Sequence, residues 1–306
     1  MSGKDVTELL AADAEGIAAA ARILESGGLV AVPTETVYGL AARADDPEAV
    51  ARIYAAKGRP DFNPLIVHVR DVAQAERYAV LSKAARGLAE AHWPGPLTLV
   101  LPRRPDAGLA EAVTAGLPTI ALRAPAHPAI RALLAAVDFP LAAPSANRSG
   151  FISPTTAGHV LASLRGRIDL VLDDGATEAG VESTIVAVRA DGTIEELRPG
   201  PLQLGGRAGG AGSIEAPGQL ASHYAPGKPM RLNATEAAPD EFLIGFGALG
   251  GDCNLSARGD VTEAAARLYA ALHEAALAPH PRIAVAQVPD EGVGRAVNDR
   301  LRRAAA

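Results

Sequence analysis

Cysteine is almost missing: Cys253 is the only one in 306 residues. An intramolecular disulfide and any multi-cysteine zinc or iron–sulfur site are thereby excluded, which fits a reducing compartment. Aromatic residues make up only 4% of the chain, and lysine occurs four times, at 4, 57, 83 and 228. Positive charge is also in deficit, with 29 Lys and Arg against 35 Asp and Glu and a net charge of −6. Proteins that coat phosphate backbones are usually basic, so nucleic acid is not expected as a stable primary ligand, while a local basic site stays open. No uncharged run approaches the roughly 20 residues that a membrane helix needs. The opening "MSGKDVTELLAADAEG" has no apolar run like a signal peptide. A soluble, cytoplasmic protein with no membrane contact is expected.

Several catalytic signatures are absent as well. There is no GxxxxGK[ST] phosphate loop, no GxSxG nucleophile elbow and no HExxH. The seven histidines show no metal-ligand spacing, so no metal held by protein alone is expected. "GFGALG", from Gly245 to Gly250, fits GxGxxG in letters, but "GDCNLSARGD" follows where a helix would have to begin.

What is present reads as a folded α/β protein, with 48% hydrophobic and 21% charged residues. Helical spacing runs from Ala14 to Glu25 and stops at Gly27-Gly28. "LVAVP" is a buried strand, "TETVYGL" a connection, and Pro47 to Ala56 a helix capped by Asp45 or Asp46. "LIVHV" is a strand, and Val72 to Tyr78 and Lys83 to His92 are helices. "LTLVLP" and "TIALR" are strands, "HPAIRALLAAV" a helix, and "PLAAPSAN" a strand running into a loop. "IDLVLDDG" and a hairpin turning at Asp191-Gly192 supply the last strands of this unit. The pattern predicts a twisted, mixed α/β sheet over residues 1–205. A Gly/Ala/Pro-rich linker is expected over 206–235. A small α/β unit should follow over 236–306, with strands in "EFLIGFG" and "RIAVAQVP" and helices from Val261 to Leu277 and Val293 to Ala305.

The candidate site starts at "IYAAKGRPDFNPL". Lys57 and Arg59 stand where Gly58 should cap a helix and Pro60 should force extended backbone. They either complement the negative end of the helix dipole or converge on one anion. Arg123 falls at the carboxyl end of a predicted strand, where ligands of open α/β sheets sit. Ser145, Asn147 and Ser149 occupy a loop after a strand, and Ser183, Thr184 and Arg198 lie at strand edges. His68 alternates with apolar residues in a strand and reads as a packed core histidine or a site residue.

These blocks carry a family resemblance. "GGLVAVPTETVYGLAARADDPEAVARIYAAKGRPDFNPLIVHV", "WPGPLTLVL", "TIALRAPAHP", "LAAPSANRSGFISPTT", "VESTIV" and "LRPG" occur in the order of the YrdC/Sua5 family. "APGQLASHYAP" and "GVGRAVNDRLRRAA" resemble the linker and appended domain of its longer, Sua5-type members. The resemblance implies a YrdC-like domain followed by a small Rossmann-like domain. It implies an L-threonylcarbamoyladenylate synthase, a nucleotidyltransferase that combines L-threonine, bicarbonate and ATP and releases pyrophosphate. Mg2+ would arrive with ATP. The product would pass to a separate tRNA threonylcarbamoyl transferase complex for t6A modification of tRNA. By motif position, Lys57, Arg59, Asn63, Thr119, Ser145, Ser153, Arg198 and Tyr224 would hold ATP, with Lys57 and Arg59 as the catalytic cations. Thr36, His68, Arg123, Ala143 and Ser183 would surround threonine, with Arg123 on its carboxylate. A hydrogenase-maturation carbamoyl transferase is the first rival, but its acylphosphatase-like and zinc-finger segments are missing. An RNA-binding module is the second, and the acidic balance counts against it.

Overall fold

A computed structural model of the chain describes residues 6–60, 62–209, 214–219 and 222–306. The first unit runs β1 (Glu8–Ala11), α1 (Ala14–Glu25), β2 (Val30–Pro33), β3 (Tyr38–Arg43), α2 (Pro47–Lys57), β4 (Ile66–His68), α3 (Val72–Ala75) and α4 (Lys83–His92). It continues with β5 (Leu97–Pro102), β6 (Thr119–Arg123), α5 (Pro128–Ala136), β7 (Leu141–Ala142), α6 (Ala157–Leu164), β8 (Leu170–Asp173), β9 (Thr184–Val188), β10 (Ile194–Arg198) and β11 (Arg207–Ala208). Capping chemistry sets the helix ends. Asp13 accepts from Gly16 N to start α1, and Asp46 accepts from Glu48 N and Ala49 N to start α2. Gly58, left-handed at φ 59°, closes α2.

The sheet is mixed, in the order β1-β8-β2-β3-β7-β4-β6-β5-β9-β10-β11. β3 was expected to be part of a connection. Instead it pairs antiparallel with β2, Val30 opposite Ala41. Its residues Tyr38 to Ala42 are all buried, so it lacks the alternation that marks a half-exposed strand. β1 and α6 were also not anticipated, and α3 ends at Ala75 rather than Tyr78.

The second unit is β12 (Met230–Ala234), β13 (Glu241–Gly245), β14 (Cys253–Asn254), α7 (Val261–Leu277), β15 (Arg282–Ala286) and α8 (Gly294–Ala304). Its strands are all parallel, in the order β12-β15-β13-β14. β12 lies within the stretch expected to be linker. Residues 210–213 and 220–221 of that stretch lie outside the described residues, as do 1–5 and Asp61. "GFGALG" ends β13 and turns into β14, so no helix begins there.

Helices cover the large sheet unevenly, and that creates the site. α2, α4 and α6 pack on one face through Val50, Ile53, Ala85, Ala89, Val160 and Leu164. On the other face α1 and α5 cover only the β2, β3, β7 and β8 side, through Leu24, Ile130 and Leu133. Over β4, β5, β6 and β9 that face presents Ile66, Val100, Ala121, Ile185 and Ala187, and the residue packed on them is Ala216 of the linker.

α7 and α8 bury their apolar faces partly against the first unit, in one cluster with Val37, Ile152, Val181 and Tyr224. The approach is closest at Gly180, where φ is +67° and an added Cβ would lie 2.4 Å from Ala265 O and 2.4 Å from Ala266 Cα. Gly180→Ala is therefore expected to cost at least ~2 kcal/mol, combining left-handed strain with a backbone clash. Thermal unfolding checks this, and an unchanged midpoint would show that the contact between the units is loose.

Candidate active site

The pleat of the sheet assembles the polar groups. Pairing sets Ile66 beside Ala121 and His68 beside Arg123, and it sets Thr98 beside Ile185 and Arg198 beside Ile185. Because side chains alternate along a strand, His68, Thr98, Arg123 and Ser183 project from the face left without a helix, and a bulge between Glu196 and Arg198 turns Arg198 to that face opposite Ile185. Two loops close the hollow: the β2–β3 turn with Thr34 and Thr36, and the segment after β7 with Ala143, Pro144 and Ser145. Ala146 N donates to Tyr38 O and Leu40 N to Pro144 O, so the second loop is stitched to β3. The linker forms the remaining wall with Pro217, Gly218, His223 and Tyr224. The hollow offers ≈ 50 Å3 of space, enough for several water molecules at the roughly 10–15 Å3 that each needs.

Thr36, Arg59, His68, Arg123, Ala143, Ser145, Ser183, Arg198 and Tyr224 line this cavity together. Lys57, Asn63, Thr119 and Ser153 do not. The Lys57 ammonium lies behind Ser145 and donates to Ser145 O and Asn147 O, each at 2.5 Å. Both Asn63 amide atoms are buried with no partner. Thr119 shares the face of Ala121 and Arg123 but opens β6, roughly 13 Å from Arg123 at the rise of a strand. Ser153 donates to Glu182 Oε1 at 2.6 Å. Thr184 faces the other way and donates to Leu202 O, while Asn147 spends its amide on Arg148 O and Phe151 O. Ser149 is engaged through its backbone, N to Lys57 O.

The electrostatics divide the cations into two kinds. Arg123 is paired: NH2 donates to Glu35 Oε1 at 2.6 Å, NH1 to Thr36 Oγ1 at 3.0 Å, and Nε to Gly95 O at 3.4 Å. Glu35 also accepts from Ala126 N and His127 N. Burial would raise the Glu35 pKa, but Arg123 outweighs it and holds the carboxyl below its usual 4.5. Lys57, Arg59 and Arg198 are the other kind, at 2%, 8% and 3% exposure. Among the described residues none of them meets a carboxylate within 4 Å. Arg59 donates to Asn63 O and Pro64 O, and Arg198 to Ser183 O and Ser183 Oγ. Burial, reinforced by Arg59, pushes the Lys57 ammonium well below 10.5, and burial lowers Arg59 to about 10. Cations that merely complemented a helix end would face water, so their burial favours the anion-site alternative.

Burial, helped by Arg123, also lowers His68 to about 3, which leaves a neutral imidazole in the cavity. Tyr224 sits over the site at φ +65°, a left-handed conformation that costs a bulky residue on the order of 1–3 kcal/mol. Beside it, Gly218 has φ +83°, and a Cβ there would reach 2.9 Å from Arg198 Cδ and 3.0 Å from the Tyr224 hydroxyl. Glu35, Glu182, Gly218 and His223 were not anticipated as site residues. Glu35 and Glu182 stand in the quoted blocks "PTETVYGL" and "VESTIV", directly beside residues that were. Among the described residues no cluster of three or more His, Cys, Asp or Glu could hold a metal ion, and no helix is long and apolar enough to cross a membrane.

Comparison with known proteins shows the family and the fold. The Sua5/YciO/YrdC family model, described as "Telomere recombination", matches residues 22–200. A second, described as "Threonylcarbamoyl-AMP synthase, C-terminal domain", matches residues 193–306. A threonylcarbamoyl-AMP synthase of Bacillus subtilis is 40% identical, with 98% of this chain and 96% of that protein covered. One of Pyrococcus abyssi is 37% identical over 93% of this chain and 92% of that protein. The crystal structure of P. abyssi Sua5 complexed with L-threonine superposes with a TM-score of 0.88 at 35% identity, covering 98% of this chain and 97% of that one.

Proposed function

The chain belongs to the Sua5/YrdC family of threonylcarbamoyl-AMP synthases, and from that premise we propose how its cavity makes the adenylate. The substrates are L-threonine, bicarbonate and ATP. The threonine amine captures bicarbonate or CO2 to give a carbamate. A carbamate oxygen attacks the α-phosphorus of ATP, the α–β phosphoanhydride breaks, and pyrophosphate leaves with that electron pair. The products are threonylcarbamoyl-AMP, pyrophosphate and water, so the reaction is a nucleotidyl transfer that needs no side-chain nucleophile.

The observation that carries this reading is the set of three buried cations without a carboxylate, beside a fourth that has one. A desolvated cation without a counter-charge is costly unless a ligand supplies it. Arg59 and Arg198 line the cavity and offer two positive charges to a triphosphate, with Lys57 directly behind Ser145, and the charge that builds on departing pyrophosphate is stabilised by groups already in place. Arg123 keeps its guanidinium fixed by Glu35 and Thr36 while lining the threonine end with Thr36, His68, Ala143 and Ser183. The neutral His68 adds no competing charge. Asn63, with both amide ends buried and unpartnered, suits a polar ligand beside Arg59. Thr119, on the same face as Arg123, suits the far end of a long nucleotide. Mg2+ arrives as part of the ATP substrate. Pro217, Gly218, His223 and Tyr224 form the wall on the nucleotide side of the hollow. The product then passes to a tRNA threonylcarbamoyl transferase, so the synthase itself needs no grip on tRNA.

Pyrophosphate release from ATP, with threonine and bicarbonate each omitted in turn, tests the proposal. Release is expected only when both are present; release indifferent to both omissions would sink it.

A further inference from the structure

Glu182 is a buried carboxylate on the cavity wall whose partners come mostly from the second unit. Its Oε1 accepts from Ser153 Oγ at 2.6 Å, the Tyr269 hydroxyl of α7 lies 3.0 Å from Oε1 and 2.9 Å from Oε2, and Arg300 Nε of α8 donates to Oε2 at 2.7 Å. Arg300 is 0% exposed. Its other edges are engaged too: NH2 donates to Pro199 O at 3.0 Å, next to Arg198, and NH1 to Asp299 at 2.6 Å. The guanidinium carbon lies over the Tyr224 ring, 5.4 Å from its centroid. The Tyr269 ring touches the same tyrosine at 5.6 Å.

The backbone of α8 holds this wall as well. His223 N donates to Arg303 O at 3.0 Å, and Ala225 N is held by Gly150 O at 2.8 Å. Tyr224 thus hangs between α8 and the first unit in its left-handed conformation. A bulky residue stays at such a φ only where its surroundings over-determine it. Burial alone would raise the Glu182 pKa, yet Arg300 and Arg198 bring it down to about 2, so the carboxylate is charged and bound in place.

We infer that Arg300 is a positioning residue for the synthase reaction: through Glu182, Pro199 O and Tyr224 it sets the nucleotide-side wall of the cavity. The second unit is then part of the active site, although none of its residues lines the cavity. This rests on the synthase reading above. A fully buried arginine that only welded the two units together would need no more than its carboxylates, Glu182 and Asp299. This one also holds Pro199 O, next to Arg198, and lies over the Tyr224 ring.

The test separates position from stability. Arg300→Lys keeps a positive charge opposite Glu182 but cannot also donate to Pro199 O while its charge sits over the Tyr224 ring. Glu182→Gln/Arg300→Gln removes both charges together and leaves Asp299 paired with Arg303, so folding is expected to be retained. Binding of α,β-methylene-ATP and of L-threonine to each full-length protein is measured by calorimetry, alongside KM, kcat and thermal midpoint. In both variants nucleotide affinity and KM are expected to worsen at least tenfold, with threonine affinity within about threefold of the starting protein. The double variant is expected to melt above Arg300→Gln alone. Nucleotide affinity within twofold of the starting protein in either variant, or a loss that returns in step with the melting temperature, would overturn the inference. Amide exchange over 222–226 gives a readout independent of catalysis. It is expected to accelerate in Arg300→Lys, and unchanged exchange would count against the inference even if the starting protein bound no nucleotide. Failure of the starting protein to bind nucleotide would refute the synthase reading instead.

Discussion

Replacing Arg123 with alanine is expected to raise the threonine KM on the order of 100-fold or more, because a fixed guanidinium gives a carboxylate charge-assisted, directional hydrogen bonds. The same change leaves Glu35 buried without its cation. Breaking a buried pair in this way costs about 3–5 kcal/mol, and the side chains here are only 5% and 12% exposed. The two effects come apart in Arg123→Ala/Glu35→Gln, which should regain much of the stability and none of the threonine affinity. The pH dependence changes sign as well. In the intact protein the Glu35 pKa is depressed below 4.5, so its contribution is complete above that value and is lost as pH falls through the depressed one. Without Arg123, burial raises the same pKa, the folded state binds the extra proton, and stability rises on acidification from neutral toward pH ~5. Steady-state kinetics and denaturation at two pH values check both parts. A threonine KM within threefold of the intact protein would remove Arg123 from the threonine site.

Arg59→Ala is expected to lower the rate of pyrophosphate release at saturating substrates on the order of 100-fold, the usual loss when a charge contact made in the transition state is removed. Its effect on stability should be small, within about 1 kcal/mol. Among the described residues Arg59 has no carboxylate partner; it is desolvated and shares its neighbourhood with Lys57, whose charge it opposes. Removing a cation that folding has to desolvate relieves repulsion while it abolishes function, the trade expected at a binding site. Lys57→Ala should lose turnover to a similar degree, but it also releases the Ser145 and Asn147 carbonyls that its ammonium holds. A full rate in Arg59→Ala would show that the two cations only terminate α2.

Legibility in the sequence followed burial and locality. α1, α4 and α7 were legible to the residue because their start signals are local: Asp13, Ser82 and Asp260 each accept from a backbone N–H of the first turn. The strand carrying Arg123 was equally plain, bounded by turn residues and rich in β-branched and aliphatic side chains. β3 was not, since a strand buried along nearly its whole length shows no period. β12 was not either, because Met230 to Ala234 follows a Gly- and Pro-rich stretch and only pairing with β15 makes it a strand. Among site residues, Arg59, Arg123, Ser183 and Arg198 could be named because each sits at a strand or helix end with a recognisable neighbour. Glu35 and Glu182 were passed over because a carboxylate reads as solvent-facing until its partner is known. Those partners, Arg123 and Arg300, lie 88 and 118 residues away.

The sequence by itself determined the chemical inventory: an acidic chain with one cysteine, few lysines, and cations concentrated at helix and strand ends. It also determined the alternation that puts His68 with Ile66, Arg123 with Ala121 and Ser183 with Ile185, because that depends only on residue parity within each strand, whereas Arg198 reaches the same face only through the bulge in β10. Tertiary structure alone decided which side has no helix, that a linker tyrosine closes it, and that an arginine from α8 props the wall. Those outcomes depend on pairing and packing between segments distant in sequence, such as Tyr224 with Arg300 and Ala225 with Gly150, and the free energy of such contacts is a property of the assembled structure rather than of any local stretch of chain.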